Sequence, residues 1–127
     1  MEKYFGVCYY PELYPKEKQE AFIREDIENM RRARFNVVRM AEFCWCLMEP
    51  REGVYDFDWL EEIVDRLGQN GIYTVLCTPT ACQPVWMARR YPETLYVDNL
   101  GVQRSYGGRH YHCYNSPIFR DFTEKIC

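Results

Sequence analysis

The 127-residue sequence predicts an α/β fold, an incomplete (β/α)8 TIM barrel with about the first three βα units. Strand and helix patterns alternate along the chain, as expected for parallel strands joined by helices. The turn after the first strand, Tyr9-Tyr10-Pro11-Glu12, lacks the glycines that a doubly wound nucleotide-binding fold needs there. Aromatic and carboxylate side chains at a strand end instead favour a barrel, which builds its active site on that face. Because a complete barrel needs roughly 250 residues, a fragment is expected.

The first two predicted strands flank a predicted helix. Residues 5–9 form a short apolar run beside Gly6 and predict the first strand. Residues 16–33 carry apolar side chains at helical spacing with charged residues between them, which predicts an amphipathic helix. Residues 36–40, with Val37 and Val38, predict the second strand.

A second helix and a third strand complete the predicted alternation. Asp58, with Glu61 three residues later, resembles a capping box at the start of a helix. Gly71 stands where a C′ glycine ends a helix. Residues 72–78 show no polar alternation and therefore predict a parallel strand buried on both faces.

The remainder of the chain predicts a long excursion and a final helix. Residues 85–90 predict a short helix, and residues 94–105 predict a small hairpin around the turn at 98–101. Ser116 and Pro117 are typical of the N-cap and first position of a helix. Apolar residues then continue at helical spacing to Ile126.

Composition indicates a core-forming protein that does not bind nucleic acid. Hydrophobic residues make up 47% of the chain and charged residues 28%, and the net charge is −3. No run of basic residues provides the positive surface that nucleic acid requires. No segment approaches the roughly 20 apolar residues of a membrane span, and no signal peptide is recognisable, so a cytoplasmic protein is expected.

The cysteines argue against a disulfide framework and against a metal or redox protein. There are seven of them, an odd number, and no C-x-x-C pair occurs. Cys44 and Cys46 are closer in sequence than the usual zinc-binding pair. Most of the cysteines are therefore interpreted as small hydrophobic residues.

Polar groups at the predicted strand ends indicate a sugar site. Arg39 and Glu42 end the second strand, and Thr78-Pro79-Thr80-Ala81 follows the third. Carboxylates and arginine bind hydroxyl groups, while aromatic rings provide apolar walls. A plain ion pair between Arg39 and Glu42 is the alternative interpretation of the second segment.

Three segments, Gly6–Glu12, Asn36–Phe43 and Gly107–Pro117, carry motifs in this order along the chain, and together they resemble glycoside hydrolase family 42, the bacterial-type β-galactosidases. Gly6-Val7-Cys8-Tyr9-Tyr10-Pro11-Glu12 is similar to the opening G-x-x-Y-Y-P-E of the family, and Asn36-Val37-Val38-Arg39-Met40-Ala41-Glu42-Phe43 to its N-x-V-R-x-x-E-F strand. The segment from Gly107 to Pro117 resembles its G-x-R-x-x-x-C-x-x-S-P motif. The resemblance covers nearly the whole chain, in order and without large gaps.

The resemblance implies a hydrolase of carbohydrate metabolism that releases terminal non-reducing β-D-galactose with retention of configuration. Residues 1–127 would be the N-terminal part of the catalytic barrel, without its C-terminal half or later domains. Arg109 matches an arginine that binds galactose, and Arg39 and Glu42 match residues of the same subsite. The acid/base and nucleophile glutamates of the family fall beyond Cys127, so no catalytic residue is assigned and the chain alone is expected to be inactive.

The resemblance also bears on metal and oligomeric state. Cys113 matches the first of four cysteines that bind a structural zinc in some family members, and no cofactor is needed for the chemistry. The substrate would be a small-molecule galactoside. Family members are often trimers, so a homotrimer is the state implied for the full-length protein. Two alternatives remain: a barrel glycosidase with another sugar preference, and a non-catalytic half barrel that binds sugar.

Overall fold

The computed structural model describes residues 3–127, which fall into two compact units. The first unit comprises the chain up to Ala41 together with Phe57–Cys77. The second comprises Glu42–Asp56 together with Thr78–Cys127. None of the helices in the described part of the chain is long and apolar enough to cross a membrane.

The first unit is a parallel sheet with two crossover helices. Its strands are β1 (Gly6–Cys8), β2 (Val37–Met40) and β3 (Tyr73–Leu76), in the order β1-β2-β3. Helix α1 (Lys16–Arg32) connects β1 to β2, and α3 (Asp58–Gln69) lies between β2 and β3 in sequence. These bounds confirm the predicted alternation of strand and helix.

Each helix of this unit buries one apolar face. The buried side chains are Ile23, Ile27 and Met30 of α1, and Leu60, Ile63 and Leu67 of α3. On β2, Val38 and Met40 are fully buried, whereas Arg39 between them is exposed. The alternation along β2 therefore places Arg39 on the opposite face of the sheet from the two apolar side chains.

The ends of α3 support one prediction and contradict another. Gly71 has a φ of +73°, a conformation that glycine adopts readily, as predicted for a C′ residue. The capping box at Asp58 is wrong, because the N-cap is Phe57 and makes no side-chain capping hydrogen bond. Asp58 is instead the first helical residue, where its negative charge still suits the positive end of the helix dipole.

The prediction that the third strand is buried on both faces is also wrong. Tyr73, Val75 and Leu76 are 57%, 51% and 57% exposed, and every residue of β1 is exposed. A sheet of three strands has two edge strands, and β1 and β3 are these edges. The apolar composition of a strand shows that it is suited to a buried sheet. Whether it is buried depends on which other elements pack against the sheet.

Substituting Gly6 with alanine is expected to destabilise the first unit. A Cβ at Gly6 would overlap the carbonyl oxygen of Val37, its partner across the β1–β2 ladder. Forced overpacking of this kind costs about 1–3 kcal/mol. Gly68→Ala is the matched control, since its Cβ would meet no atom and alanine favours a helix. Chemical denaturation of both variants tests this, and equal stability of Gly6→Ala and wild type would contradict it.

The second unit is built around helices and an aromatic core. Its helices are α2 (Trp45–Met48), α4 (Val85–Arg90) and α5 (Pro117–Ile126), with a 3-10 turn at Pro92–Thr94. The core cluster consists of Trp45, Met87, Phe119 and Phe122. Helix α4 and the N-cap of α5 were predicted, whereas α2 was not, because four residues are too few to show a helical period.

The cap of α5 and the turn at 98–101 form as local chemistry dictates. The Ser116 hydroxyl accepts a hydrogen bond from the Phe119 N–H, which confirms Ser116 as N-cap. Asp98 accepts from the N–H groups of Leu100 and Val102, and these hydrogen bonds lower the pKa of its carboxyl group. The predicted hairpin is reduced to a single antiparallel bridge between Val97 and Gln103.

Candidate functional site

Arg39 lies on the exposed face of the sheet in the first unit. A groove of about 580 Å³ runs along this face, and Arg39 lines it with Cys8, Tyr73 and Val75 among other strand residues. The guanidinium of Arg39 lies 3.9 Å from the Cys8 sulfur on the neighbouring strand. A cation is therefore held within an otherwise apolar groove, at the end of the strand where the sequence predicted it.

Glu42 directly follows a strained position at the end of β2. Glu42 is only 4% exposed, and the preceding residue, Ala41, is buried with a φ of +81°. A non-glycine residue in this conformation costs about 1–3 kcal/mol and is concentrated at functional sites. The strain at Ala41 therefore indicates that this backbone conformation is kept for the orientation that it gives to Glu42, at a cost in local stability.

Arg109 stacks on an aromatic ring beside Glu42. Its guanidinium carbon lies 4.7 Å from the centroid of the Phe43 ring, within the range of a cation–π interaction. Because Phe43 is the neighbour of Glu42 in sequence, the structure brings Arg109 to the segment that carries this carboxylate. An arginine held by its flat face keeps its N–H donors at the edge, where hydroxyl groups can accept from them.

The loop that carries Arg109 adopts an unusual backbone conformation. Gly107 has a φ of +108° and His110 a φ of +53°. The His110 ring nitrogen Nδ1 lies 2.7 Å from the hydroxyl of Tyr114, which ties the end of the loop to the segment before α5. A left-handed histidine is uncommon, so specific contacts must hold this loop.

A buried carboxylate connects several segments of the second unit. Glu49 is 1% exposed and accepts hydrogen bonds from Trp45 Nε1 at 2.9 Å and from the Gly53 N–H at 2.8 Å. Its backbone carbonyl accepts from Trp86 Nε1 at 2.8 Å. Glu49 therefore links α2, the following turn and α4, and its role is structural.

Cys113, which the family resemblance implies as a zinc ligand, has no group of further metal ligands around it within the described residues. Among residues 3–127, no group of three or more His, Cys, Asp or Glu side chains could hold a metal ion. His112 is buried and stacks on Phe119 with 4.1 Å between ring centroids. Burial, helped by His110, lowers the pKa of His112 to about 4, so its ring is neutral at pH 7. Cys113 is therefore a free thiol among these residues, and a zinc site that used it would need further ligands from outside them.

Comparison with known proteins establishes the family of this chain. A family profile described as beta-galactosidase, that of glycoside hydrolase family 42, matches residues 8–127. Since the match covers almost the whole chain, the chain belongs to this family. The resemblance inferred from the motifs is thereby confirmed.

Individual relatives agree with this assignment. A beta-galactosidase of Thermus thermophilus is 45% identical over 121 residues, which are 95% of this chain and 18% of that protein. A beta-galactosidase of Clostridium perfringens, Pbg, is 47% identical over 97 residues, which are 76% of this chain and 14% of that protein. The chain thus spans less than a fifth of the length of these relatives.

A solved structure shows the same fold. The crystal structure of a beta-galactosidase from Rahnella sp. R3 matches with a TM-score of 0.90 and 38% identity, over 95% of this chain and 18% of that chain. The α/β arrangement with a three-stranded parallel sheet is therefore that of part of a family 42 enzyme.

Several residues of the site could not be found from the sequence. The contact between Phe43 and Arg109 joins positions 66 apart, and no local pattern indicates it. The strain at Ala41 was likewise invisible, because alanine carries no signal for a left-handed conformation. Glu49 stands next to Pro50, between the predicted second strand and the helix at Asp58, and in sequence a buried acceptor there is indistinguishable from a surface carboxylate.

Proposed function

We propose that the protein to which this chain belongs is a retaining β-galactosidase that releases terminal, non-reducing β-D-galactose. The observation that carries the proposal is the Arg109 guanidinium over the ring of Phe43, the residue that follows the buried Glu42 in sequence, in a chain of family 42. These residues would form the galactose side of the active site. Residues 1–127 would be about the first three βα units of its (β/α)8 barrel.

The proposed role of Arg109 is to bind sugar hydroxyls. A guanidinium donates several hydrogen bonds in a fixed planar arrangement and can hold two neighbouring hydroxyl groups at once. The Phe43 ring lies against this guanidinium, 4.7 Å from its central carbon, and thereby supports its position. Glu42 would belong to this subsite, since carboxylate oxygens accept hydrogen bonds from sugar hydroxyls. Arg39, in the first unit, would donate to sugar hydroxyls through its own guanidinium, as the resemblance to the family implies.

The bond-breaking step needs two glutamates that are not assigned to this chain. In a retaining glycosidase one carboxylic acid protonates the leaving oxygen, and a carboxylate about 5–5.5 Å away forms the glycosyl-enzyme. Water then releases the sugar with the first residue acting as base. The residues of this chain would contribute binding and orientation to that reaction.

The test compares the 127-residue chain with the complete gene product that contains it. The complete product is expected to hydrolyse an aryl β-D-galactoside and to prefer it to the corresponding glucoside. The purified 127-residue chain is expected to release no phenol above background. Turnover by the short chain would place a catalytic pair within residues 1–127, and failure of the complete product to cleave any galactoside would overturn the proposed function.

A further inference from the structure

The residues on both sides of Arg109 are tied to one short segment. The Cys82 thiol donates a hydrogen bond to the carbonyl oxygen of Gly108, with 2.9 Å between sulfur and oxygen. The His110 N–H donates to the carbonyl oxygen of Ala81 at 3.1 Å. Ala81 and Cys82, which are consecutive in the loop after β3, therefore hold the two neighbours of Arg109 in place. We call these two hydrogen bonds the clamp.

The clamp opposes the conformational cost of the loop. Gly107 and His110, which bracket Gly108 and Arg109, both have positive φ. A positive φ at a residue other than glycine costs free energy, as at His110. The loop therefore keeps this conformation only if contacts with other segments compensate for that cost. The Arg109 side chain is exposed and rests on Phe43, so its direction depends on where its own backbone is held.

The thiol of Cys82 is suited to donate this hydrogen bond. Burial, and to a smaller degree the proximity of Cys46, raises the pKa of the Cys82 thiol, while Arg109 acts in the opposite sense. A raised pKa keeps the sulfur protonated, and only the protonated form can donate to the Gly108 carbonyl.

We infer that Cys82, acting with the Ala81 carbonyl, is a positioning residue that fixes the loop 107–110 so that Arg109 presents its guanidinium to the galactose. The inference rests on the proposed function, since it assigns to Arg109 a sugar to bind. Cys82 touches neither substrate nor reacting atoms. It acts through the backbone of Gly108.

The test compares the complete gene product with three variants of it, each of which carries one substitution. Cys82→Ala removes the donor and is expected to raise KM for an aryl β-D-galactoside about 2- to 10-fold, the range of one hydrogen bond. The kcat is expected to stay within about twofold, since loss of binding common to ground and transition states acts on KM. Cys82→Ser keeps a donor and is expected to restore the wild-type KM. Cys46→Ala, which removes the neighbouring thiol, is the matched control and is expected to leave KM unchanged.

Hydrogen exchange provides a second measurement that does not depend on activity. Faster exchange of the His110 amide is expected in Cys82→Ala and not in Cys82→Ser, because the clamp opens only when the donor is lost. If Cys82→Ala does not fold, Cys82→Val takes its place, since it has a similar volume and no donor. These variants need no catalytic turnover to show whether the loop is anchored.

The outcomes separate this inference from the proposed function. If the wild type cleaves galactosides and Cys82→Ala keeps both its KM and its exchange rate, the positioning role is wrong and the function stands. If exchange increases while KM does not change, the clamp exists but does not position Arg109, which also overturns the inference. If the wild type neither cleaves nor binds galactose, the proposed function fails, and the sugar-positioning role fails with it.

Discussion

Replacing Arg109 with alanine is expected to lower kcat/KM of the complete protein for an aryl β-D-galactoside by about 10- to 150-fold, because hydrogen bonds to a charged group contribute about 1.5–3 kcal/mol. The guanidinium stacked on Phe43 is the group proposed to hold the sugar hydroxyls. Its removal leaves those hydroxyls without their charged donor. Steady-state kinetics on the purified variant measure the effect.

Two further substitutions show whether the effect depends on the planar pair of donors in the Arg109 guanidinium. Arg109→Lys keeps the positive charge but loses the planar pair of donors, so an intermediate loss is expected. Arg104→Ala is the matched control, because Arg104 is an exposed arginine of the same unit that pairs with Asp98 at 3.4 Å on the surface. Wild-type kinetics for Arg109→Ala, or an equal loss in Arg104→Ala, would contradict a specific role in sugar binding.

Replacing Glu49 with alanine is expected to destabilise the protein by about 2–4 kcal/mol, since the buried Trp45 N–H left without an acceptor costs about 1–3 kcal/mol and the part-buried hydrogen bond from Gly53 contributes about a further 1 kcal/mol. The Trp45 indole N–H and the Gly53 N–H both donate to this carboxylate. The substitution removes both acceptors and leaves a cavity beside the aromatic core. The free energy of unfolding, or the midpoint of thermal unfolding, measures the loss.

Glu49→Gln separates hydrogen bonding from charge. The amide keeps one acceptor oxygen in a side chain of nearly the same shape, so roughly half of the loss is expected. Glu61→Ala is the control, because Glu61 is an exposed glutamate and such substitutions change stability by about 0.5 kcal/mol or less. If Glu49→Ala and Glu61→Ala unfold at the same midpoint, the buried hydrogen bonds of Glu49 do not stabilise this unit.

The elements with a strong periodic pattern were predictable, and those that depend on other parts of the molecule were not. Helix α1 was predicted at 16–33 and observed at Lys16–Arg32, because apolar residues recur on one face over several turns. The N-cap at Ser116 was predictable because capping is a local interaction. The exposure of β3 was not, because burial depends on which elements cover the strand.

The candidate site, like the fold, was predictable where the signal is local in sequence and was not where it depends on distant residues. Arg39, Glu42 and Arg109 could be named from motifs, since each motif is a short run of residues. What holds Arg109 in place could not, because Phe43 and Cys82 lie 66 and 27 positions before it. Cys82 in particular was interpreted as one of several small hydrophobic residues. Its hydrogen bond to Gly108 becomes apparent only in three dimensions.

The anomeric form of the first product tests the central claim most directly. The complete gene product would be incubated with an aryl β-D-galactoside, and the anomeric proton of the released sugar would be followed by NMR from the first turnovers. A retaining β-galactosidase releases β-D-galactose first, and the α anomer appears later by mutarotation. Release of the α anomer first, or no release of galactose at all, would contradict the account.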